Sequence, residues 1–306
     1  MPHQPVLQRW ELPGAGPEDV VVDQQGHIIT GVEDGRILCG DPQTGRWTTL
    51  TKTLARPLGL DVDTQNGLWI CDSPYGLLRL EHEKRTLRSC VNRITNQSLQ
   101  FCSNVVADGA GGAFFTASSM RFPLALYRRD LIENVPTGLL AHVDAAGQVC
   151  VLAENLAFAN GVVLLPDRSA LVFAETARAR LMRFDLSTQT ISVWADLPGM
   201  PDNMSWDVVR GWIWVALVST LPPTLEWLRK APFPLRRALG LLPEKLSPKP
   251  SNRAWVQAYD LKGACVMDLC WEQSGYQAVT GVCASGHRLY MGSLHERAIA
   301  FCTLPD

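Results

Sequence analysis

The chain has 306 residues, of which 46% are hydrophobic and 19% charged, so it can bury a sizeable core and lacks the composition of a disordered protein. Its net charge of −2 gives no electrostatic reason to expect a nucleic-acid partner. The 24 glycines and 20 prolines predict many turns, and the ten tryptophans favour a protein rich in β-sheet, where aromatic side chains fill half-buried faces.

Cysteine usage and the first residues of the chain bear on its compartment. The nine cysteines show no Cys-x-x-Cys spacing, and an odd number is more typical of reduced thiols than of a complete disulfide framework. A pairing of Cys90 with Cys102 is the alternative that stays open. The first ten residues lack a basic segment followed by an apolar core, and no run of about 18 apolar residues occurs. We therefore expect a cytoplasmic protein without membrane contact.

One pattern recurs six times along the chain: an apolar strand, a turn with an acidic residue or glycine, and one or two further apolar strands. The six units are predicted at residues 18–39, 58–80, 104–143, 162–184, 204–259 and 279–302. A strand predicted at residues 6–12 precedes the first unit and can complete the sixth. Most units begin about 40 to 55 residues apart, which is typical of radial repetition. We predict an all-β fold, a six-bladed β-propeller that forms a single domain over residues 1–306; a β-sandwich, the alternative, does not explain six similar units.

Two insertions interrupt the repeat. Residues 120–137 lengthen the third unit, and residues 221–252 lengthen the fifth. The second insertion is rich in Pro, Leu and Arg and contains runs with helical spacing. We predict a helical, cap-like insertion in blade five, with a short excursion packed on the rim and a membrane-surface patch as the alternatives.

The residues at which the inner strands begin are candidates for a binding site. In a propeller these strands line the central channel, so the side chains at their beginnings gather at one mouth. Read unit by unit, these mouth residues are Glu18, Leu58, Ser103 or Asn104, Asn160, Asp202 with Asn203, and Thr280. Taken singly, Asn-Gly and Asp-Asn are common turn pairs. Their shared position within the repeat is what favours a site.

Carboxylate and amide oxygens are the ligands that calcium prefers, whereas zinc takes His and Cys. We therefore predict a site for Ca²⁺, or another divalent cation, in the channel. The candidate ligands are Glu18, Asn160, Asp202, Asn104, Ser103 and Asn203. Among the histidines, His142 is predicted to be structural, and His295 is either a base or a solvent-exposed side chain. The chain has no Gly-x-Ser-x-Gly segment and no phosphate-binding loop.

Several segments, spread over nearly the whole chain, resemble one known family. They are RPLGLD (56–61), CDSPYGLL (71–78), FFTASS (114–119), FANGV (158–162), AET (174–176), LPGMPDN (197–203) and LYMGSL (289–294). With the Leu- and Arg-rich insertion of unit five, they resemble the strictosidine-synthase-like branch of the six-bladed propellers that also contain gluconolactonase, regucalcin and paraoxonase. The resemblance implies the same propeller fold.

The resemblance also implies a metal site. Hydrolytic members of this group bind one divalent cation through a Glu at the first blade, two Asn and an Asp, and Glu18, Asn160 and Asp202 match three of these positions. The fourth position is an Asn followed by Asp in the group and Ser103-Asn104 in this chain. Here Ser103 or a water replaces the ligand, or Asn104 shifts inward. True strictosidine synthases use a Glu in the segment that reads VCASG at 282–286 in this chain, which holds no Glu.

These observations favour a calcium-dependent hydrolase of lactones or esters that acts on a small-molecule substrate. The cation would polarise the substrate carbonyl, and Asp202 or Glu18 would orient or deprotonate water. Two other functions stay open. One is a synthase that forms carbon–carbon or carbon–nitrogen bonds, and the other is a non-catalytic propeller that binds a ligand, with calcium bracing the channel.

Overall fold

The six units of the sequence form six four-stranded antiparallel sheets. The computed structural model describes residues 4–81, 85–242 and 252–305. The innermost strands of neighbouring blades contact one another all the way round, from the first blade to the sixth and back to the first. The six-bladed β-propeller predicted from the repeat is therefore confirmed.

The strands follow one another from the channel outward within each blade. Strand β1 (Gln8–Glu11) comes first, and blade one is β2 (Val20–Val22), β3 (Ile28–Gly31), β4 (Arg36–Asp41) and β5 (Arg46–Lys52). Blade two is β6 (Arg56–Val62), β7 (Leu68–Ser73), β8 (Gly76–Glu81) and β9 (Thr86–Val91). A two-stranded ribbon, β10 (Arg93–Ile94) and β11 (Gln97–Ser98), leads to blade three, which is β12 (Phe101–Ala107), β13 (Ala113–Ser119), β14 (Gly138–Val143) and β15 (Val149–Leu156).

The second half of the ring repeats this order. Blade four is β16 (Ala159–Leu164), β17 (Ala170–Glu175), β18 (Arg180–Asp185) and β19 (Ile191–Asp196). Blade five is β20 (Gly199–Asp207), β21 (Trp212–Thr220), β22 (Arg253–Tyr259) and β23 (Cys265–Glu272). Blade six is β24 (Val279–Ser285), β25 (Arg288–Ser293) and β26 (Ala298–Thr303), with β1 as its outer strand.

Strand β1 closes the ring as the sequence predicted. It pairs antiparallel with β26, with Gln8 opposite Phe301 and Glu11 opposite Ala298. The pairing covers the outer edge of blade six, which would otherwise present unpaired backbone groups. The indole nitrogen of Trp271 also donates to the backbone oxygen of Pro5 at 2.8 Å and ties this segment to blade five.

The core lies between the blades, where the face of one sheet packs on the next. Every residue of β7 and β17 is buried, as expected for strands covered on both faces. Trp69 of blade two and Phe115 of blade three share one apolar cluster, and Trp214 of blade five packs with Met291 of blade six in another. Because no blade buries both of its faces alone, the six sheets stabilise one another.

Two buried cysteines meet in the interface between blades two and three. The Sγ atoms of Cys71 in β7 and Cys102 in β12 are 3.1 Å apart. Cys102 therefore lies against Cys71, and the alternative pairing with Cys90 is wrong. All nine cysteines are free thiols.

Both insertions contain helices on the mouth side. Residues 120–137 form a 3-10 turn (Leu124–Leu126) and α1 (Tyr127–Glu133). The blade-five insertion forms α2 (Pro223–Lys230) and α3 (Phe233–Gly240), while residues 243–251 of the predicted cap lie outside the described residues. In the part of the chain that the structure describes, no helix is both long and apolar enough to cross a membrane.

Helix α3 braces α1. The Arg236 guanidinium donates through Nη1 to the backbone oxygens of Glu133 and Asn134, at 2.6 and 3.1 Å. These carbonyls lie at the C-terminal end of α1, where backbone oxygens lack partners within the helix. The side chain of Glu133 is buried and accepts hydrogen bonds from Arg121 and Arg129. The two insertions therefore form one connected layer.

Candidate functional site

One residue from each blade lines a cavity at the mouth of the channel. This mouth ring comprises Glu18, Leu58, Ser103, Asn160, Asp202 and Thr280, and all six residues are buried. Each lies within the first four residues of an inner strand, except Glu18, which lies two residues before its strand, because the inner strands of all six blades start at the same end of the channel. Five of the six side chains carry oxygen, so the channel presents a polar floor to this cavity.

The next residue of each blade forms a lower ring, in which polar side chains alternate with glycines. It comprises Asp19, Gly59, Asn104, Gly161, Asn203 and Gly281. A Cβ built at Gly59 would lie 2.5 Å from the Asn104 Cα, and one at Gly281 would lie 2.6 Å from an oxygen of Asp19. Such distances are too short for a carbon atom. Three of the six inner strands therefore need glycine at this position, because the neighbouring strands carry a side chain there.

The lower ring is held by hydrogen bonds between blades. Asp19 Oδ2 accepts from the Leu60 amide at 2.9 Å, and Asn104 Oδ1 accepts from the Val162 amide at 3.0 Å. Asn104 Nδ2 also donates to Asp19 Oδ2 at 3.4 Å. Asp19 and Asn104 thus join the inner strands of blades one to four below the mouth ring.

Ser103 and Asn160 belong to one hydrogen-bonded chain at the mouth. Ser103 Oγ donates to Asn160 Oδ1 at 3.0 Å and lies 2.8 Å from Ser118 Oγ. Asn160 Nδ2 donates to Thr176 Oγ1 at 3.3 Å, and Thr176 donates to the backbone oxygen of Pro201 at 2.6 Å. The amide of Asn160 is therefore fixed from both sides.

The carboxyl groups of the two rings hold protons more tightly than usual. Burial, with the charges of Asp202 and Asp19 added, raises the pKa of Glu18 well above its ordinary value, and the nearby Arg56 opposes this rise. Burial raises the pKa of Asp202 to about 8, with a further contribution from Asp19 and an opposing hydrogen bond from Asn160. The cluster therefore carries an excess of buried negative charge when it is ionised, which a bound cation would offset.

Asn203 completes this charge cluster and has one unsatisfied atom. Its Nδ2 donates to both carboxylate oxygens of Glu18 at 3.3 Å, whereas its Oδ1 is buried without a hydrogen-bond partner within the described residues. A buried amide oxygen costs free energy when it stays unpaired. Buried carboxylates, neutral oxygens and an unpaired amide oxygen together fit a hard divalent cation.

The walls of the cavity are apolar. The cavity has a volume of about 90 Å³. Leu124, Tyr127 and Leu131 of the blade-three insertion cover it, and Phe101 and Phe158 line its side. The rings of Phe101 and Phe158 meet edge to face with their centres 5.4 Å apart.

The backbone of Phe158 is strained in order to reach this position. Its φ of 61° lies in the left-handed region, which costs a bulky residue about 1–3 kcal/mol. Because Phe158 stands two residues before Asn160, the same distortion sets the beginning of the inner strand of blade four. Residues 158–160 therefore combine a strained backbone, an apolar side chain in the cavity wall and a polar side chain in its floor.

The structure brings together four of the six predicted ligands and separates two. Glu18, Ser103, Asn160 and Asp202 line the cavity, whereas Asn104 and Asn203 lie in the lower ring. At the fourth ligand position that the family resemblance implies, the structure places Ser103 at the mouth and Asn104 below it.

The cap and the histidines also have definite places. No described residue of the predicted cap at 221–252 lines the cavity; the blade-three insertion covers it, and α3 supports that insertion. His295 lies at the rim of the cavity, and His142 binds the carboxylate of Asp108 within blade three. Sequence reasoning missed Arg56, the partly buried cation beside Glu18, although it begins the RPLGLD segment.

Comparisons with known proteins agree with this architecture. A family model described as "Strictosidine synthase" matches residues 104–189, and one described as "Strictosidine synthase-like, N-terminal" matches residues 6–39. Among solved structures, a gluconolactonase from Xanthomonas campestris superimposes with a TM-score of 0.71 at 16% identity, covering 98% of this chain and 89% of that one. A calcium-binding regucalcin from Agrobacterium tumefaciens gives 0.65 at 15% identity, covering 96% and 91%. These two likenesses show the propeller fold.

Curated relatives show the family. Strictosidine synthase-like protein 2 of Arabidopsis thaliana is 30% identical over 257 residues, which cover 74% of this chain and 68% of the relative. Across the Arabidopsis relatives, the chain spans 63% to 83% of the relative's length. With the fold, the two family-model matches and this identity, the chain belongs to the strictosidine synthase-like family of six-bladed β-propellers.

Proposed function

We propose that this protein is a hydrolase of apolar lactones or esters that depends on a divalent cation, with Ca²⁺ as the expected ion. The observation that carries the proposal is the convergence of Glu18 and Asp202 with Ser103 and Asn160 on the floor of an apolar cavity. The polar floor suits a reacting carbonyl, and the apolar walls suit the hydrocarbon part of a lactone or ester.

Glu18, Asp202, Asn160 and Ser103 would hold the cation. When bound, the cation would polarise the substrate carbonyl and stabilise the negative charge that develops on its oxygen. The fold supports this assignment because gluconolactonase and calcium-binding regucalcin structures share it.

The two carboxylates would have different roles. The oxygens of Glu18 are both engaged by Asn203 Nδ2, so this side chain is held in place. Asp202 instead accepts hydrogen bonds from the Asn160 side chain and the Asn203 backbone amide. We assign to its carboxylate oxygen the proton of the attacking water, which it would pass to the leaving alkoxide. The aromatic and aliphatic walls exclude other water molecules and orient the acyl chain.

The test uses purified full-length protein with a panel of aryl esters and lactones of increasing chain length, with Ca²⁺ and with EDTA. We expect turnover that EDTA abolishes and Ca²⁺ restores. Glu18→Gln and Asp202→Asn should each lower kcat/KM by about 100-fold or more. Asp196→Asn, a change at an exposed carboxylate of β19, is the matched control and should leave activity unchanged.

Three outcomes would contradict the proposal. Hydrolysis that EDTA does not affect would show that the reaction does not depend on a cation. A new product from paired amines and aldehydes, without hydrolysis, would indicate a condensing enzyme. A rise in melting temperature with Ca²⁺, without turnover of any substrate, would indicate a ligand-binding propeller.

A further inference from the structure

A second cluster of ligand-type side chains lies at the opposite end of blade one. Strand β2 runs away from the channel mouth and ends in a turn that carries Asp23 and His27, and β4 brings Cys39 to the same place. One ligand atom from each of the three side chains lies within 4.8 Å of the other two. All three side chains are partly buried, so they are neither sealed in the core nor freely solvated.

Two of the three donor atoms already stand at the separation that a metal requires. His27 Nδ1 and Asp23 Oδ2 are 3.0 Å apart. Ligand atoms around a tetrahedral zinc ion are about 3 to 3.8 Å apart, given Zn–O and Zn–N distances near 2.0 Å and a Zn–S distance near 2.3 Å. The Cys39 Sγ lies within 4.8 Å of a ligand atom of Asp23 and of one of His27, and it would have to approach them to complete the ligand set.

The Asp23 carboxylate is held so that one oxygen is left for a ligand role. Its Oδ1 accepts from the backbone amides of Gln25 and His27, both at 2.9 Å. These bonds close the turn and fix the carboxylate plane. Oδ2 is the oxygen that faces His27.

Comparison of the blades shows what is unusual about blade one. In blade two, Asp63 closes the same turn and Arg79 donates Nε to its Oδ2 at 3.0 Å. In blade three, Asp108 does the same and its Oδ2 lies 2.8 Å from His142 Nε2.

Strand register makes Cys39 the counterpart of these two partners. Cys39 stands opposite Ile29 in blade one. Arg79 stands opposite Trp69 in blade two, and His142 stands opposite Phe114 in blade three. Each is the second residue pair between the second and third strands of its blade. Blade one thus replaces a basic side chain with a thiol, and His27 brings a second metal-binding donor from the turn.

The local charge favours a cation. Burial, with the negative charges of Asp23 and Asp41 added, raises the pKa of the Cys39 thiol. The same carboxylates attract a metal ion, which then stabilises the thiolate. Binding would release the thiol proton to solvent, and ligation through Nδ1 requires the neutral His27 tautomer whose proton is on Nε2.

We propose that Asp23, His27 and Cys39 form a metal site, separate from the channel, for a borderline-soft cation such as Zn²⁺. Water completes the fourth position. The ligand set of one sulfur, one nitrogen and one oxygen selects this class of ion over Ca²⁺, which prefers oxygen alone. The site therefore distinguishes itself chemically from the oxygen-lined mouth ring.

The test uses Co²⁺ as a spectroscopic probe on the full chain after chelator treatment and removal of the chelator. We expect one equivalent of Co²⁺ to produce a thiolate-to-cobalt charge-transfer band, which Zn²⁺ then displaces. Cys39→Ser should abolish the band, and His27→Gln should weaken Zn²⁺ binding at least tenfold. Cys150→Ser, at an exposed cysteine of β15, is the matched control and should keep the band.

Asp202→Asn separates this proposal from the proposed function. The mouth ring offers only oxygen ligands, so this variant should lose the channel cation and keep the thiolate band. Circular dichroism of each variant checks that it is folded. Absence of a thiolate band in the parent protein, or a band that persists in folded Cys39→Ser, would overturn the proposal.

Discussion

Asn203 of blade five donates its side-chain amide to both carboxylate oxygens of Glu18 in blade one, across 185 residues of sequence and at 3.3 Å to each oxygen. The contact joins the lower ring to the mouth ring. It holds one carboxylate of the candidate site in a single orientation.

The first prediction concerns this contact. Asn203→Ala should weaken the binding of Ca²⁺ by about 10- to 100-fold, the usual effect of losing a partner that orients a metal ligand. Isothermal titration calorimetry measures the change. Asn96→Ala, at an exposed asparagine, should bind as the parent does. An unchanged affinity in Asn203→Ala would show that Glu18 needs no orienting partner.

The second prediction concerns Ser103, where the family resemblance implies an asparagine. Ser103→Asn should strengthen Ca²⁺ binding, because an amide oxygen is a better calcium ligand than a hydroxyl. Ser103→Ala should weaken it severalfold, because the hydrogen bond to Asn160 Oδ1 is lost. Opposite signs for the two variants, measured by titration at one pH, are the expected result. Two changes in the same direction would exclude Ser103 as a ligand.

The third prediction concerns pH. Burial raises the pKa of Asp202 from 3.8 to about 8 and that of Asp19 to about 7. The folded state then binds these protons more tightly than the unfolded state, so the two groups favour folding at low pH. Their contribution is lost as pH rises from about 4 to about 8. Without a cation, the melting temperature should therefore be lower at pH 8.5 than at pH 5.5.

Thermal unfolding in EDTA measures this difference, with about 2 °C expected for each kcal/mol in a chain of this length. Added Ca²⁺ should reduce the difference, since it offsets the negative charge at high pH. Asp202→Asn should also reduce it. If the variant retained the full pH difference in EDTA, groups other than Asp202 would account for it.

The fourth prediction concerns the support that Arg236 of α3 gives to α1. Arg236→Ala removes the hydrogen bonds to the end of α1 and should free the helix that carries Tyr127 and Leu131. We expect faster proteolysis within residues 120–137 and a higher KM for apolar substrates, with little change in Ca²⁺ affinity. Arg237→Ala, at the exposed neighbouring residue, is the control. Equal proteolysis rates for the two variants would contradict a bracing role for Arg236.

The fifth prediction concerns the glycines of the lower ring. In Gly161→Ala the new Cβ would lie 2.8 Å from the Cα of Asn203, with backbone atoms on each side. Neither strand can yield cheaply, so the free energy of unfolding should fall by about 2 kcal/mol or more. Urea denaturation measures it. A loss below about 0.5 kcal/mol would show that the channel can expand at this level.

The six-unit repeat predicted most of the propeller, but the outer strands could not be predicted from it. In β19, Ile191 is 44% exposed and Val193 50% exposed, so the outer strands lack the apolar contrast that marks a buried strand. Strand β1 was predictable because the sixth unit had no other outer strand. The helix in residues 120–137 was missed because it is a single short element, whose covering role depends on tertiary contacts.

The sequence predicted at which position of each repeat the site residues lie, but not which of two neighbouring residues faces the cavity. The sequence put Asn104 and Asn203 among the mouth residues, but each follows its mouth residue by one position, and in a strand one residue reverses the direction of the side chain. Which member of Ser103-Asn104 faces the cavity depends on a bulge in β12, which the spacing does not reveal. Arg56 was missed because its neighbour Glu18 lies in another blade.

The pairing of β1 with β26 has a consequence for biosynthesis. Residues 8–11 must wait for residues 298–301, so the ring cannot close until nearly all of the described chain has left the ribosome. Five blades can form in order during translation, while blade six lacks an outer strand and β1 exposes an unpaired edge. The loop that this last step closes is almost as long as the chain. Closure is therefore the last step in assembling the ring, and the propeller is most exposed to aggregation just before it.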